Sequence, residues 1–185
     1  MIIICFVGDP LSGKTTLAKE IVKHFRDSKY FSSGEYARSL GMDKNEDSIK
    51  TYDLSLSLND AINEKVSSLV KDSSLGFSHV ILDGFPRSTL QLSLLKNLVP
   101  AEVIHIFYIT INPWMMEERM KSRRRTGDER EIIIARKYSS IRLRIDINYM
   151  LDNIYDICGS NPIYDNKQEV LKCLEDYWAK FVNGH

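Results

Sequence analysis

The sequence predicts an α/β protein built on a doubly wound, five-stranded parallel sheet with helices on both faces. Three observations lead there. Short apolar runs rich in β-branched residues recur along the chain, as strands covered on both faces require. Helical patterns fill the intervals between them. The first apolar run passes directly into a glycine-bounded loop, GDPLSGKT from Gly8 to Thr15, which opens a helical pattern.

Strands are expected at residues 2–7, 79–83 (HVILD) and 103–109 (VIHIFYI), with weaker ones at 30–32 and 162–164. Helices are expected over 14–25, about 49–70, 89–98, 113–123, a long stretch from Glu129, and 168–181. IRLRIDIN, residues 141–148, alternates apolar and polar with period two, which taken alone favours a strand. Its place inside the long stretch assigns it to helix.

With 185 residues, 43% of them hydrophobic, the chain can bury one sizeable core, so a single domain over 1–185 is expected. Basic and acidic residues number 25 each, so no global field favours nucleic acid or an anionic membrane, and neither partner is expected. Cys5, Cys158 and Cys173 are odd in number and lack metal-type spacing. They suit a reducing, cytoplasmic setting. No apolar run approaches a membrane span, and the run at Ile2–Val7 lacks the features of a secretory leader. A monomer is expected.

GDPLSGKT satisfies G-x-x-x-x-G-K-[ST] at a strand-to-helix junction, where the pattern has a mechanism. Backbone N–H groups converge on phosphate oxygens, the helix N-terminus adds partial positive charge, and Lys14 reaches the outer phosphates. Gly8, Asp9, Ser12, Gly13, Lys14, Thr15 and Thr16 form the candidate cradle for ATP, with the Thr15 hydroxyl available to magnesium.

A second segment, HVILDGFPRSTLQ, is more specific. Its strand, D-G-F-P-R and Gln four residues after the Arg make the chain resemble the adenylate kinase family of nucleoside monophosphate kinases. A third segment, FSSGEYARS, is similar to that family's Ser/Thr-Gly-acid-Arg segment, with Ser33, Gly34, Glu35 and Arg38 in those places, followed by a helical insertion carrying Leu58 and Asp60. The resemblance implies a monophosphate-binding segment at about 33–71. Arg38 and Arg87 would grip the acceptor phosphate, Gln91 would meet the base, and Ser33, Leu58 and Gly84 would line that pocket. Thr15 and Asp83 are the candidate magnesium residues.

EERMKSRRRTGDEREIIIARKY taken alone is a basic helix face or a nucleic-acid patch. Its arginines also fall at the spacings of a short lid in the same family, at about 121–130. The resemblance then makes Arg119 the residue stacked on adenine, and Arg123, Arg125 and Arg136 phosphate ligands, with Asp128 the lid acid. Asp128 also suits the N-cap of the helix that follows, with Glu131 three residues on. The PIYDNKQEVL segment is similar to the family's last strand and helix, which places Asn166 near the adenine of ATP.

The resemblance implies ATP-dependent phosphorylation of a monophosphate, AMP preferred. A UMP/CMP kinase and a weakly active nucleotide-binding regulatory module are the alternatives. No general base is needed, because the acceptor phosphate is already an anion near neutral pH. The chain departs from the family at Leu11 and Thr15, each standing where the family usually has Gly, and at Gly127, where it has an acid. Leu11 restricts the backbone if that position requires positive φ.

Overall fold

The computed structural model describes residues 1–40, 56–73, 76–122 and 130–183. Its elements run β1 (Ile2–Gly8), α1 (Lys14–His24), β2 (Ser28–Ser32), α2 (Ser33–Ser39), α3 (Leu56–Ser73), β3 (His79–Asp83), α4 (Thr89–Leu98), β4 (Ile104–Thr110), α5 (Pro113–Ser122), α6 (Arg130–Ile147), β5 (Ile154–Cys158) and α7 (Ile163–Asn183).

The sheet has five strands in the order β2-β3-β1-β4-β5, and every neighbouring pair is parallel. Alternation along β1 explains why its sequence is apolar throughout. Ile3, Cys5 and Val7 enter a core shared with α2, α3, α4 and α6, while Ile2, Ile4 and Phe6 enter one shared with α1 and α7. Each face of the central strand therefore has its own helical cover. From β1 the chain moves to one side of the sheet and from β4 to the other, which makes the C-terminal edge between them a switch point where ligands bind in such folds.

The period-two stretch at 141–148 lies in helix through Ile147. Leu143 and Ile147 are buried, whereas Ile141 and Ile145 are exposed. Ile134, Tyr138, Ile141 and Ile145 recur at helical spacing on an outer stripe opposite the core stripe. Two apolar stripes on opposite faces of one helix produce the alternation that resembles a strand.

The strand expected at 162–164 is a correction. The fifth strand is Ile154–Cys158, and Ile163 already begins α7. Ile154 to Cys158 pair with Ile106 to Thr110. The segment is closed by Gly159-Ser160-Asn161-Pro162, a turn cluster after a β-branched and aromatic run. Elsewhere the boundaries move by a few residues, and the part of the expected 49–70 helix before Leu56 lies outside the described residues.

No helix among the described residues is long and apolar enough to cross a membrane. The three cysteines are free. His105 on β4 is fully buried, with Nδ1 3.3 Å from the Tyr155 hydroxyl and Nε2 without a partner. Burial pushes its imidazole down from 6.5 to about 4. An unfolded chain therefore takes up a proton near 6.5 that the fold resists until about 4, so stability is lost as pH falls through that interval. Urea unfolding from pH 7 to 4 should show a contribution of about 3 kcal/mol lost to this residue. His105→Phe should flatten that part of the profile, and an unchanged slope would assign the proton elsewhere.

Candidate phosphate-binding site

The turn after β1 is gripped from behind. Asp9 N–H donates to the Ile109 carbonyl at 2.9 Å. The buried Asp9 carboxylate accepts from Ile111 N–H at 3.2 Å and from the Ser140 hydroxyl at 2.8 Å, and faces the Lys137 ammonium at 3.7 Å. Its side chain thus ties the loop to the end of β4 and to α6. Lys14 Nζ folds back over the loop and donates to the carbonyls of Gly8, at 3.1 Å, and Asp9, beside Ser12 Oγ.

Helix α1 starts after Gly13, at φ 93°, with no side-chain cap and no acidic residue in its first turn. Its first N–H groups are left for an anion. Leu11 lies at φ 61°, the left-handed region that costs an L side chain roughly 1–2 kcal/mol. The chain makes the turn that a glycine makes easily, with a leucine, and holds it through the Leu11 carbonyl, which accepts from Arg119 Nη1 at 2.8 Å.

Arg119, on α5, also donates from Nη2 to the Gly159 carbonyl at 3.0 Å. Its guanidinium therefore clamps the loop to the segment after β5. Gly159 N–H donates to the Thr110 carbonyl at 2.7 Å. A methyl group at Gly159 would lie 2.7 Å from the Thr110 oxygen and closer still to that of Ser12, both rigid backbone.

At the end of β3, Asp83 Oδ2 accepts from Thr15 Oγ1 at 2.7 Å, Ser32 Oγ at 3.0 Å and the Tyr30 hydroxyl at 3.3 Å. Burial and the Asp83 carboxylate push the Tyr30 phenol up, which keeps it a proton donor. Among the described residues no group of three or more His, Cys, Asp or Glu side chains forms a metal cluster. Asp83 with Thr15 nonetheless fits magnesium, which takes one or two protein oxygens and fills its octahedron with water and phosphate.

One step along the same edge lies a second cationic cluster. Ser32 caps α2 by accepting from Glu35 N–H at 3.3 Å, which sets Ser33 and Gly34 at the helix start. Ser33 donates to the Gly84 carbonyl at 2.6 Å. Gly84, at φ 73°, has no room for a side chain, since a methyl group there would lie 2.9 Å from Ser33 Oγ. Arg87 Nε donates to the Gly84 carbonyl at 2.9 Å and Nη2 to Ser33 Oγ at 3.1 Å. A methyl group at Gly34 would sit 3.5 Å from Arg38 Nη1 and 3.8 Å from Arg87 Nη2, so both guanidinium groups converge over it. Ser88 caps α4, and Gln91 in its first turn is buried, its Oε1 accepting from Arg87 N–H at 2.8 Å.

The structure thus brings together Gly8, Asp9, Ser12, Gly13, Lys14, Thr15, Asp83 and Arg119 on one side and Ser33, Arg38, Gly84, Arg87 and Gln91 on the other. Thr16 follows on the exposed start of α1. Leu58 is buried on α3, Arg136 is half-buried on α6, and Arg123, Arg125, Gly127 and Asp128 lie outside the described residues. Asn166 stands in the first turn of α7, its N–H donating to the Pro162 carbonyl at 3.1 Å, rather than in a loop after a strand. Gly159 occupies that place. Sequence reasoning missed Gly159, together with Tyr30 and Ser32, which reach Asp83 only through strand pairing. The Gly-Ser-Asn-Pro cluster was the available signal for Gly159.

A doubly wound parallel sheet whose first strand turns into a phosphate-type loop, with a Thr–Asp pair at the loop's edge, defines the class of P-loop NTPase-like folds. Within that class, this chain belongs to the AAA domain family, whose model matches residues 7–133. Its relatives include the adenylate kinase of Rickettsia rickettsii (strain Sheila Smith), 26% identical over 95% of this chain and 81% of that one. The adenylate kinase of Helicobacter pylori (strain G27) is 27% identical over 96% of each chain. These relatives agree with the resemblance carried by the sequence motifs. Among solved structures, a sugar kinase from Janibacter sp. HTCC2649 superposes with a TM-score of 0.67 at 13% identity, covering 95% of each chain. A gluconokinase from Sinorhizobium meliloti 1021 gives 0.65 at 14%, covering 100% of this chain and 98% of that one. Both share the fold.

Gly159→Ala should cost about 1–3 kcal/mol in urea unfolding, because backbone rather than a flexible side chain must yield. Retention of wild-type stability would contradict the close approach. Leu11→Val should lower stability by at least about 1 kcal/mol, since β-branching is worst at positive φ, whereas Leu11→Gly should not lower it. The reverse order would mean that position 11 is not left-handed.

Proposed function

We propose that the protein is a nucleoside monophosphate kinase that transfers the γ-phosphoryl group of ATP to a nucleoside monophosphate, with AMP as the preferred acceptor. The observation that carries this reading is the convergence of Arg38 and Arg87 over Gly34, beside the phosphate-type loop. Two guanidinium groups held this close together favour an anion that lies between them. An enzyme that merely hydrolyses a triphosphate has no use for a second anion pocket there.

The loop amides and the start of α1 would hold the triphosphate, and Lys14 would exchange its carbonyl partners for phosphate oxygens. Thr15 and Asp83 would hold magnesium, which when bound neutralises charge on the phosphate oxygens. Arg87 and Arg38 would fix the acceptor phosphate by forked hydrogen bonds, the task for which guanidinium geometry is suited. Attack by an acceptor oxygen on the γ-phosphorus forms one P–O bond as the bond to the β-phosphate oxygen breaks, and ADP leaves. Since the acceptor oxygen is already anionic, the site supplies alignment and positive charge rather than a base. Arg119, Arg123, Arg125 and Arg136 would add cationic charge around the transferred group, with Asp128 in the segment that shields it from water, at about 121–130. The segment at about 33–71 would enclose the acceptor. Arg119 would also stack on the adenine of ATP, and Asn166, in the first turn of α7, would lie near that base.

The purified protein with ATP and magnesium should phosphorylate AMP ahead of CMP, UMP, GMP and dTMP, measured by product formation, and CMP or UMP outrunning AMP would overturn the choice of base. Phosphorylation of none would end the kinase reading. Lys14→Met and Arg87→Ala should each lower kcat/KM by at least roughly a hundredfold, the loss of about 3 kcal/mol of transition-state contact. Wild-type rates in either would remove the role assigned to that residue.

A further inference from the structure

We infer that Tyr30 is a positioning residue for magnesium: together with Ser32 it occupies one oxygen of the Asp83 carboxylate and so leaves the other, Oδ1, for the ion. This role rests on Thr15 and Asp83 being the magnesium residues, as proposed above, and extends the site to a side chain outside the phosphate-type loop.

The two oxygens of Asp83 are engaged unequally. Oδ2 accepts from Thr15 Oγ1 at 2.7 Å, from Ser32 Oγ at 3.0 Å and from the Tyr30 hydroxyl at 3.3 Å. An ionised carboxylate accepts and never donates, and it has about four lone-pair sites shared between its two oxygens. All three hydroxyls must therefore point their protons at Oδ2, which leaves that oxygen no capacity for a cation. Among the described residues none donates to Oδ1. The lone pairs of Thr15 Oγ1 are also left over, because its proton is spent on Asp83.

An aspartate carboxylate turns easily about its last torsion, which is broad and roughly two-fold. Without fixed partners either oxygen could face the ion. Tyr30 supplies a partner that is itself held. Ser32 pairs in register with Asp83 and Tyr30 with Ile81, so the period of two places Tyr30 and Ser32 on one face of β2. The Tyr30 ring packs there against the core that Ile81 shares with Leu17 and Ile21 of α1. Its hydroxyl thus arrives on a ring whose place the core determines. Ser32 has a second task, accepting from Glu35 N–H at 3.3 Å as the cap of α2, and Thr15 belongs to the loop. Tyr30 is the donor whose hydroxyl can be removed without touching either.

Calorimetric affinity for the β,γ-imido analogue of ATP, measured with excess magnesium and again with EDTA, gives the gain in binding that the metal confers. In Tyr30→Phe, which keeps the ring in its packing, that gain should fall about tenfold while the affinity in EDTA stays within about threefold of wild type. A wild-type gain in Tyr30→Phe would overturn the inference. So would an equal loss in magnesium and in EDTA, which would make Tyr30 a structural residue only. No gain in the wild-type protein would remove the magnesium residues and this role together. The measurement contains no acceptor, so each of these results leaves the phosphorylation of AMP standing, and failure to phosphorylate any monophosphate leaves this test intact.

Discussion

The structure depends on how closely backbone meets backbone at the C-terminal edge of the sheet. The turn after β1 lies between the end of β4, where Asp9 N–H bonds the Ile109 carbonyl, and the segment after β5, where Gly159 touches the Ser12 carbonyl. With its rear face held this way, the loop leads into α1, which begins without a side chain competing for its first N–H groups. Asp9 and Arg119 act as the two fastenings, one buried and one half-buried. The strained Leu11 sits between them and is tolerated because its carbonyl is held by Arg119.

A buried parallel sheet makes this edge rigid. Odd residues of β1 enter one core and even residues the other, so the strand cannot shift without disturbing both helical layers. The same rigidity sets Thr15, from the β1 turn, against Asp83, from β3, although 68 residues separate them in sequence. Ser32 arrives from β2 through its pairing with Asp83. One carboxylate collects three hydroxyls because three neighbouring strands end together.

Cationic charge is distributed on that frame in two groups. Lys14 and Arg119 hold backbone carbonyls, which keeps them in position at little electrostatic cost. Arg38 and Arg87 are held against α2 and the Gly84 turn, close to each other. Two guanidinium groups held this close present a concentrated positive charge at the sheet's C-terminal edge.

The sequence alone determined the α/β class, the phosphate-type loop and the D-G-F-P-R segment, because each is a local pattern whose spacing follows from strand, turn and helix geometry. Four of the five strands were legible for the same reason. The fifth was placed at 162–164 instead of Ile154–Cys158 because it is only partly buried, so Tyr155 and Asp156 interrupt the kind of apolar run that marks β1, β3 and β4. Only the tertiary structure decided that Asp9 turns its carboxylate toward Ser140, that Gly159 closes on Ser12, and that Tyr30 meets Asp83. These are contacts across 131, 147 and 53 positions of chain. They arise where separate elements end side by side, and no local pattern records which ends will be neighbours.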